Sequence, residues 1–169
     1  MKTKLSWLNK KGPGRLAVAA RPRGGDWIED EIQAWKGEGV DVVVSLLTND
    51  EILTLNLEEE PALCRANGLD FMSFSIPDRE VPQNRKTAVD VLRVLDKRLL
   101  EGKRIVVHCR QGIGRSPLIA ASLLVMSGDE PESAFGHIGS VLGYQVPETQ
   151  EQREWLQVFA NSLSALAKK

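Results

Sequence analysis

Residues 104–117 read Arg104-Ile105-Val106-Val107-His108-Cys109-Arg110-Gln111-Gly112-Ile113-Gly114-Arg115-Ser116-Pro117. The β-branched run inside Arg104 to His108 predicts a strand buried on both faces. Gly112 and Gly114 permit a tight turn. Ser116 as N-cap and Pro117 at the first helical position then predict a helix start. Backbone N–H groups of such a turn converge, and the helix N-terminus adds partial positive charge, so the segment predicts an anion site. The donors that would hold a dianion also favour a thiolate at Cys109. Arg115, six residues on, offers a planar fork of donors that matches phosphate oxygens and that lysine lacks. Nucleophile, amide cradle and clamp thus share the stretch from Cys109 to Arg115, enough machinery for attack on a phosphate monoester.

Working outward, strand and helix patterns alternate. Arg15 to Ala20 reads as a short strand, and Val40 to Leu47 as a strand buried on both faces. Leu69 to Ile76 alternates, with Leu69, Phe71 and Ser73 on one side. Asp26 reads as an N-cap with Glu29 three residues on, and Ile28, Ile32 and Trp35 share a helical face until Gly37 and Gly39. A short acidic helix is predicted over 58–67. A longer one over 84–101 turns Val91, Leu92, Leu95, Leu99 and Leu100 to the core and closes at Gly102. Beyond Ser116 the chain reads as helical, punctuated by Gly128, Gly139 and Gly143, with a last helix from about Glu148 to Ala167. The sum is an α/β fold: a largely parallel central sheet flanked by helices, with a helical C-terminal third. Ligands of such sheets sit beyond the carboxyl ends of the strands, here after Leu47, Ile76 and His108.

Length and composition bound the rest. At 169 residues with 42% apolar content, the chain suits one domain over 1–169, with a core of about 15–165 and a basic arm at 1–14. A net charge of −1 argues against general attraction to nucleic acid or anionic membrane. The longest mostly apolar run, Leu118 to Met126, is about half the ~18 residues a membrane span needs. No apolar stretch of ~7 residues follows Lys2 and Lys4 in the manner of a signal peptide. Two cysteines make no disulfide framework. A cytoplasmic monomer is expected. The acidic run Asp50, Glu51, Glu58, Glu59 and Glu60 reads as a solvated face.

His108 to Ser116 matches H-C-x-x-G-x-x-R-S/T, the signature of the cysteine-dependent protein tyrosine and dual-specificity phosphatases. Ile76-Pro77-Asp78 resembles the general-acid loop of that superfamily. The segment from Val146 to Trp155 resembles the one whose glutamine orients the hydrolytic water. The chain resembles a compact dual-specificity member over most of residues 15–160, which implies a phosphotyrosine-phosphatase-like fold. The resemblance implies Cys109 as nucleophile forming a phosphocysteine intermediate, and residues Arg110, Gln111, Gly112, Ile113, Gly114 and Arg115 as the phosphate-binding loop. It makes Asp78 the acid that protonates the leaving oxygen, and Ser116 the hydroxyl that helps the thiolate leave. His108 would support the loop from behind. Gln152 would orient water, with Gln150 as the alternative, since Glu148 stands where larger members carry a further glutamine.

The residues themselves leave Glu80 and Asp70 as competing acids, and Arg79 as a substrate contact or a surface ion-pair partner. Cys64 reads as a core residue of an amphipathic helix, with a resolving role in oxidation left open. His137 reads as structural. No metal or cofactor is called for. The expected substrate is a phosphoprotein, as phosphotyrosine with some phosphoserine or phosphothreonine, because Arg110 is the only added cation in the loop and no pocket-deepening aromatic loop is present. The alternatives are a phosphoinositide or other small phosphomonoester phosphatase, a phospho-ligand binding module without turnover, and a sulfurtransferase or arsenate reductase.

Overall fold

The computed structural model describes residues 2–167. Five strands form one sheet: β1 (Ser6–Leu8), β2 (Arg15–Ala19), β3 (Val42–Ser45), β4 (Asp70–Ser73) and β5 (Arg104–His108). Their order across the sheet is β1-β2-β5-β3-β4. Only β1 runs antiparallel to its neighbour. In register, Val18 and Val44 both pair with Val107, and Ala19 and Ser45 both pair with His108. Parallel pairing demands crossovers. Those after β2, β3 and β4 carry α1 (Ile28–Gly37), α2 (Asn49–Thr54) with α3 (Glu60–Ala66), and α4 (Arg85–Leu100). Then follow α5 (Arg115–Met126), α6 (Pro131–Leu142) and α7 (Gln150–Ala167), the expected helical C-terminal third.

Alternate strand residues feed two cores, which is why the strands read as continuous apolar runs. Leu16, Val18, Val42, Val44, Ile105 and Val107 pack with α4 to α7 on one face. Ala17, Ala19, Val43 and Val106 pack with Ile28, Ile32, Trp35 and Cys64 on the other. Helix α5 is buried almost all round, from Arg115 to Val125. That explains its mostly apolar sequence without a membrane, and no helix among the described residues is long and apolar enough to cross one.

Several expectations shift. Ser116 does not cap α5: the helix begins at Arg115, two residues earlier than expected, with Gly114 in the cap position, so the turn of the anion loop runs directly into the first helical turn. Asp26 falls in a short 3₁₀ turn, Gly25–Trp27, and α1 starts behind it without a side-chain cap. Leu100, assigned to the core side of α4, is 63% exposed, and Ala88 takes the inward position with Leu92, Leu95 and Leu99. The basic arm holds β1, whose Leu8 is buried in one core while the preceding Leu5 is buried in the other. Short strands with a polar neighbour every other residue carry too little periodicity to be read this way.

Candidate active site

Three strand ends deliver the site. β5 runs into the loop from Cys109 to Gly114 and then into α5, so the loop is stretched between two buried elements. Gly112 adopts φ +78, a conformation L side chains rarely take, and a Cβ there would lie 3.1 Å from the backbone nitrogen of Ala20. The turn therefore needs glycine twice over, for its backbone angle and for its approach to the chain leaving β2. This conformation turns the Gly112 N–H toward Cys109, whose Sγ accepts from it at 3.3 Å. The sulfur belongs to a residue only 3% exposed.

Arg115 is the most heavily bonded side chain of the site. Nη1 donates to Glu51 Oε1 at 2.7 Å and to the Ile76 carbonyl at 2.8 Å. Nη2 donates to Glu51 Oε2 at 2.9 Å and to Asp78 Oδ1 at 3.1 Å. Residues after β3, after β4 and after β5 thus converge on one guanidinium. Glu51 is placed by a capping box on α2. The Thr48 hydroxyl accepts from the Glu51 N–H, and the Glu51 carboxylate accepts from the Thr48 N–H and hydroxyl. Burial opposes charge on Glu51, but the hydrogen bonds from Arg115 and Thr48 outweigh it and hold the carboxyl below its usual range. Burial likewise opposes charge on Arg115. The Glu51 contact, then the charge of Cys109, overcomes it and raises the guanidinium above its ordinary value.

Asp78 is brought in by an extension of β4. The Ile76 N–H donates to the Leu46 carbonyl at 3.0 Å, and the Ser75 hydroxyl donates to the Leu47 carbonyl at 2.9 Å. The Asp78 side chain stays 57% exposed even while it contacts Arg115, so it is the exposed partner of that guanidinium and Glu51 the enclosed one. Arg79 takes φ +65, a costly value for a residue with a Cβ. It is held there by an ion pair with Glu148, and the next residue's carbonyl, Glu80 O, accepts from Gln152 Nε2 at 3.2 Å. The loop carrying Asp78 is therefore latched to the start of α7 at two successive positions. Arg79 is thus an ion-pair partner here, one of the two roles expected of it. Glu80 contacts Gln152 through its backbone, and Asp70 is paired with Arg98 on the sheet edge.

Gln152 is fully buried at this junction. Its Oε1 accepts from the Glu148 and Thr149 N–H groups, both at 3.2 Å, and a Cβ on Gly114 would lie 3.0 Å from its Nε2. Gln150 is exposed and bonds to Glu154 instead. Behind the loop, His108 Nε2 sits 2.6 Å from Glu60 Oε1 and Nδ1 lies 3.4 Å from the Cys109 carbonyl, both side chains buried. Ser116 Oγ is buried with no hydrogen-bond partner among the described residues. Cys64 is fully buried, and burial together with the charge of Glu60 pushes its thiol up to about 12. His137 accepts the Asn9 N–H at 3.0 Å and stays away from the loop. Among the described residues no group of acidic, histidine and cysteine side chains is placed to hold a metal ion.

Sequence reasoning missed Glu51 and Glu60, which sit in the acidic run taken as a solvated face. The signal for Glu51 was present: Thr48 followed three residues later by Glu51 spells a capping box just after a strand end. Nothing local marks Glu60, because the partner that buries it, His108, lies 48 residues away.

The family model described as "Tc-R-P: Polymorphic toxin system, DSP-PTPase phosphatase" matches residues 17–129, well over half of the chain, from within β2 to just past α5. The chain belongs to this family. Cys109, Arg115, Asp78, Glu51 and Glu60 all lie inside the match, while Gln152 lies beyond it. Cyclin-dependent kinase inhibitor 3 of Rattus norvegicus is 26% identical over 140 residues, which cover 82% of this chain and 66% of that protein, slightly under two thirds of its length. A kinase associated phosphatase with serine in place of its catalytic-site cysteine shares the fold at a TM-score of 0.86 and 21% identity, covering 98% of each chain. The active form of Tk-PTP superposes at 0.75 with 25% identity, covering 93% of this chain and 96% of its own. A DSP-PTPase family member of this kind is dual-specificity phosphatase-like, and its sheet matches theirs.

Proposed function

We propose that this DSP-PTPase family member is a phosphoprotein phosphatase that hydrolyses phosphotyrosine, and phosphoserine or phosphothreonine beside it, through a cysteinyl-phosphate intermediate. One observation carries the reading: Cys109 Sγ accepts the Gly112 N–H in the loop that leads to Arg115, and Arg115 is held by Glu51 and touches Asp78. In the first step the Cys109 thiolate attacks phosphorus, the bond to the leaving oxygen breaks, and Asp78 gives that oxygen its proton. Loop amides from Arg110 to Arg115 and the guanidinium hold the equatorial oxygens. In the second step a water attacks the phosphocysteine, Asp78 takes its proton, and sulfur leaves as thiolate.

The hydrogen-bond inventory of Arg115 supports this order of events. Both terminal nitrogens are already committed, two of their four contacts to Glu51 and one to the Ile76 carbonyl. The contact a phosphate can replace is the one to Asp78, the exposed member. Substrate entry therefore frees the acid at the moment the leaving oxygen arrives. Ser116 is the reading's candidate for a hydroxyl that helps sulfur leave. An unpartnered buried hydroxyl is costly, which suits a group whose partner forms during turnover. Gln152 rather than Gln150 is the candidate for orienting water, since it alone abuts Gly114.

A protein substrate is supported by the loop, where Arg110 is the only cation beyond Arg115, and by the name of the structural relative, a phosphatase associated with a kinase. The test is hydrolysis of para-nitrophenyl phosphate followed by a panel of phosphotyrosine, phosphoserine and phosphothreonine peptides. Turnover of the phosphotyrosine peptides is expected. Binding without turnover would reduce the protein to a phosphate-recognition module, and activity on thiosulfate or arsenate instead would place it in another class.

A further inference from the structure

Glu60 is 2% exposed and takes no part in the proposed chemical steps. It lies in the segment that supplies Leu57, Leu63 and Cys64 to the second core, where an apolar side chain would be cheaper to bury. Among the described residues its side chain bonds only to His108, and no lysine or arginine pairs with it. A buried acid kept for one partner marks that partner as the reason for it.

The contacts of the His108 ring say what the acid does. Nε2 lies 2.6 Å from Glu60 Oε1, at the short end for a charge-assisted hydrogen bond. Nδ1 lies 3.4 Å from the Cys109 carbonyl. A carboxylate and a carbonyl are both acceptors. A neutral imidazole has one N–H and serves one of them, whereas the imidazolium serves both. Strand alternation sends His108 to the side of Val106, in the second core, and Cys109 to the side of Val107, in the first. The ring therefore stands between the Glu60 carboxylate and the Cys109 main chain, and the pair presents its positive member to the nucleophile's residue.

The other groups around the ring do not compete for that charge. Trp35 of α1 lies across it, ring centres 5.9 Å apart, and is neutral. β2 and β3 set Ala19 and Ser45 beside it in register. On α3, Cys64 stays a thiol at neutral pH, pushed up to about 12. Glu31 of α1 is tied to Arg23, and Glu51 of α2 to Arg115 of α5.

We propose that Glu60 is a positioning residue: it holds His108 as the imidazolium, with Nδ1–H turned to the Cys109 carbonyl, and so favours the Cys109 thiolate from behind the loop. The proposal rests on the reading of Cys109 as nucleophile, and its test needs no turnover.

The chain holds two histidines, 108 and 137, so nitrogen-15 ring spectra, assigned with His137→Gln, resolve them. Wild type at pH 7 is expected to show both His108 nitrogens protonated, and Glu60→Gln to show one. The second readout is the rate of iodoacetamide alkylation at Cys109 from pH 4 to 8, followed by peptide mapping. In Glu60→Gln its midpoint should move to higher pH, slowing alkylation at pH 5 by about three- to tenfold. An anion removed from beside a thiol acts directly in the opposite sense, so the direction separates the route through His108 from plain charge loss. Glu58→Gln, the same charge change at an exposed position, should match wild type in both readouts. A singly protonated His108 in wild type overturns the proposal, even where Glu60→Gln does not fold. An unmoved or lowered midpoint in folded Glu60→Gln overturns it too, as does an equal shift in Glu58→Gln. If both readouts come out as expected and no phosphomonoester is hydrolysed, the phosphatase reading fails and the role of Glu60 toward Cys109 stands.

Discussion

At the scale of single residues, the chemistry reduces to which hydrogen-bond positions are already filled. Cys109 accepts one amide at 3.3 Å and is otherwise enclosed, so Cys109→Ser should abolish hydrolysis of para-nitrophenyl phosphate while calorimetry still detects phosphopeptide binding. Retained turnover would move the nucleophile elsewhere. Asp78→Asn should lower kcat on phosphopeptides by about 10²- to 10⁴-fold. The loss should be smaller on para-nitrophenyl phosphate, whose leaving group needs little help. Cys64 carries the opposite lesson. A fully buried thiol pushed up to about 12 supplies almost no thiolate at neutral pH, which argues against the resolving role. Iodoacetamide should label the native protein once, at Cys109, and peptide mapping after brief exposure checks it.

At the scale of elements, the site depends on a two-turn helix. α2 exists because Thr48 and Glu51 cap each other, and the same Glu51 carboxylate that closes the box holds Arg115 by both terminal nitrogens. Removing one partner of a buried pair leaves the other uncompensated, at a cost of about 3 to 5 kcal/mol. Glu51→Gln should therefore lower the unfolding free energy by roughly that much at neutral pH and reduce kcat as well, read by chemical denaturation and initial rates. The latch between the acid loop and α7 works through Gln152, which contacts Glu80 O, Glu148 N and Thr149 N together. Gln152→Ala should slow the second step, giving a burst of leaving group and then a slower steady state in rapid-quench kinetics. Gln150→Ala, on an exposed surface, should give wild-type traces.

At the scale of the whole molecule, pH connects site to stability. The folded chain holds the Glu51 carboxyl below its ordinary value of 4.5, so the unfolded chain takes up that proton first as the solution is acidified. The stabilisation from the Glu51–Arg115 pair is complete above about 4.5 and disappears as pH falls through the lower, folded value. Melting temperature should fall in that window, and Glu51→Gln should flatten the fall. The parallel pairing of the strands makes this coupling possible. Because β3 and β5 run side by side with β4 beyond, their carboxyl ends open on one edge, where Arg115 meets Glu51, Ile76 O and Asp78.

Arg104 to Ser116 carried the strand, the turn, the candidate nucleophile Cys109 and the candidate clamp Arg115 in its own order, because backbone angles, β-branching and glycine act over a few residues. The parallel sheet and the three strand ends were legible for the same reason. What the chain could not show along its length were long-range pairings. Glu51 and Glu60 look like members of a solvated acidic run, yet the fold buries both against partners 64 and 48 residues away. Leu100 looks like core and is exposed because its helix turns another face inward. Charge and burial at those positions depend on which atoms approach from distant segments, and only the packed tertiary structure decides that.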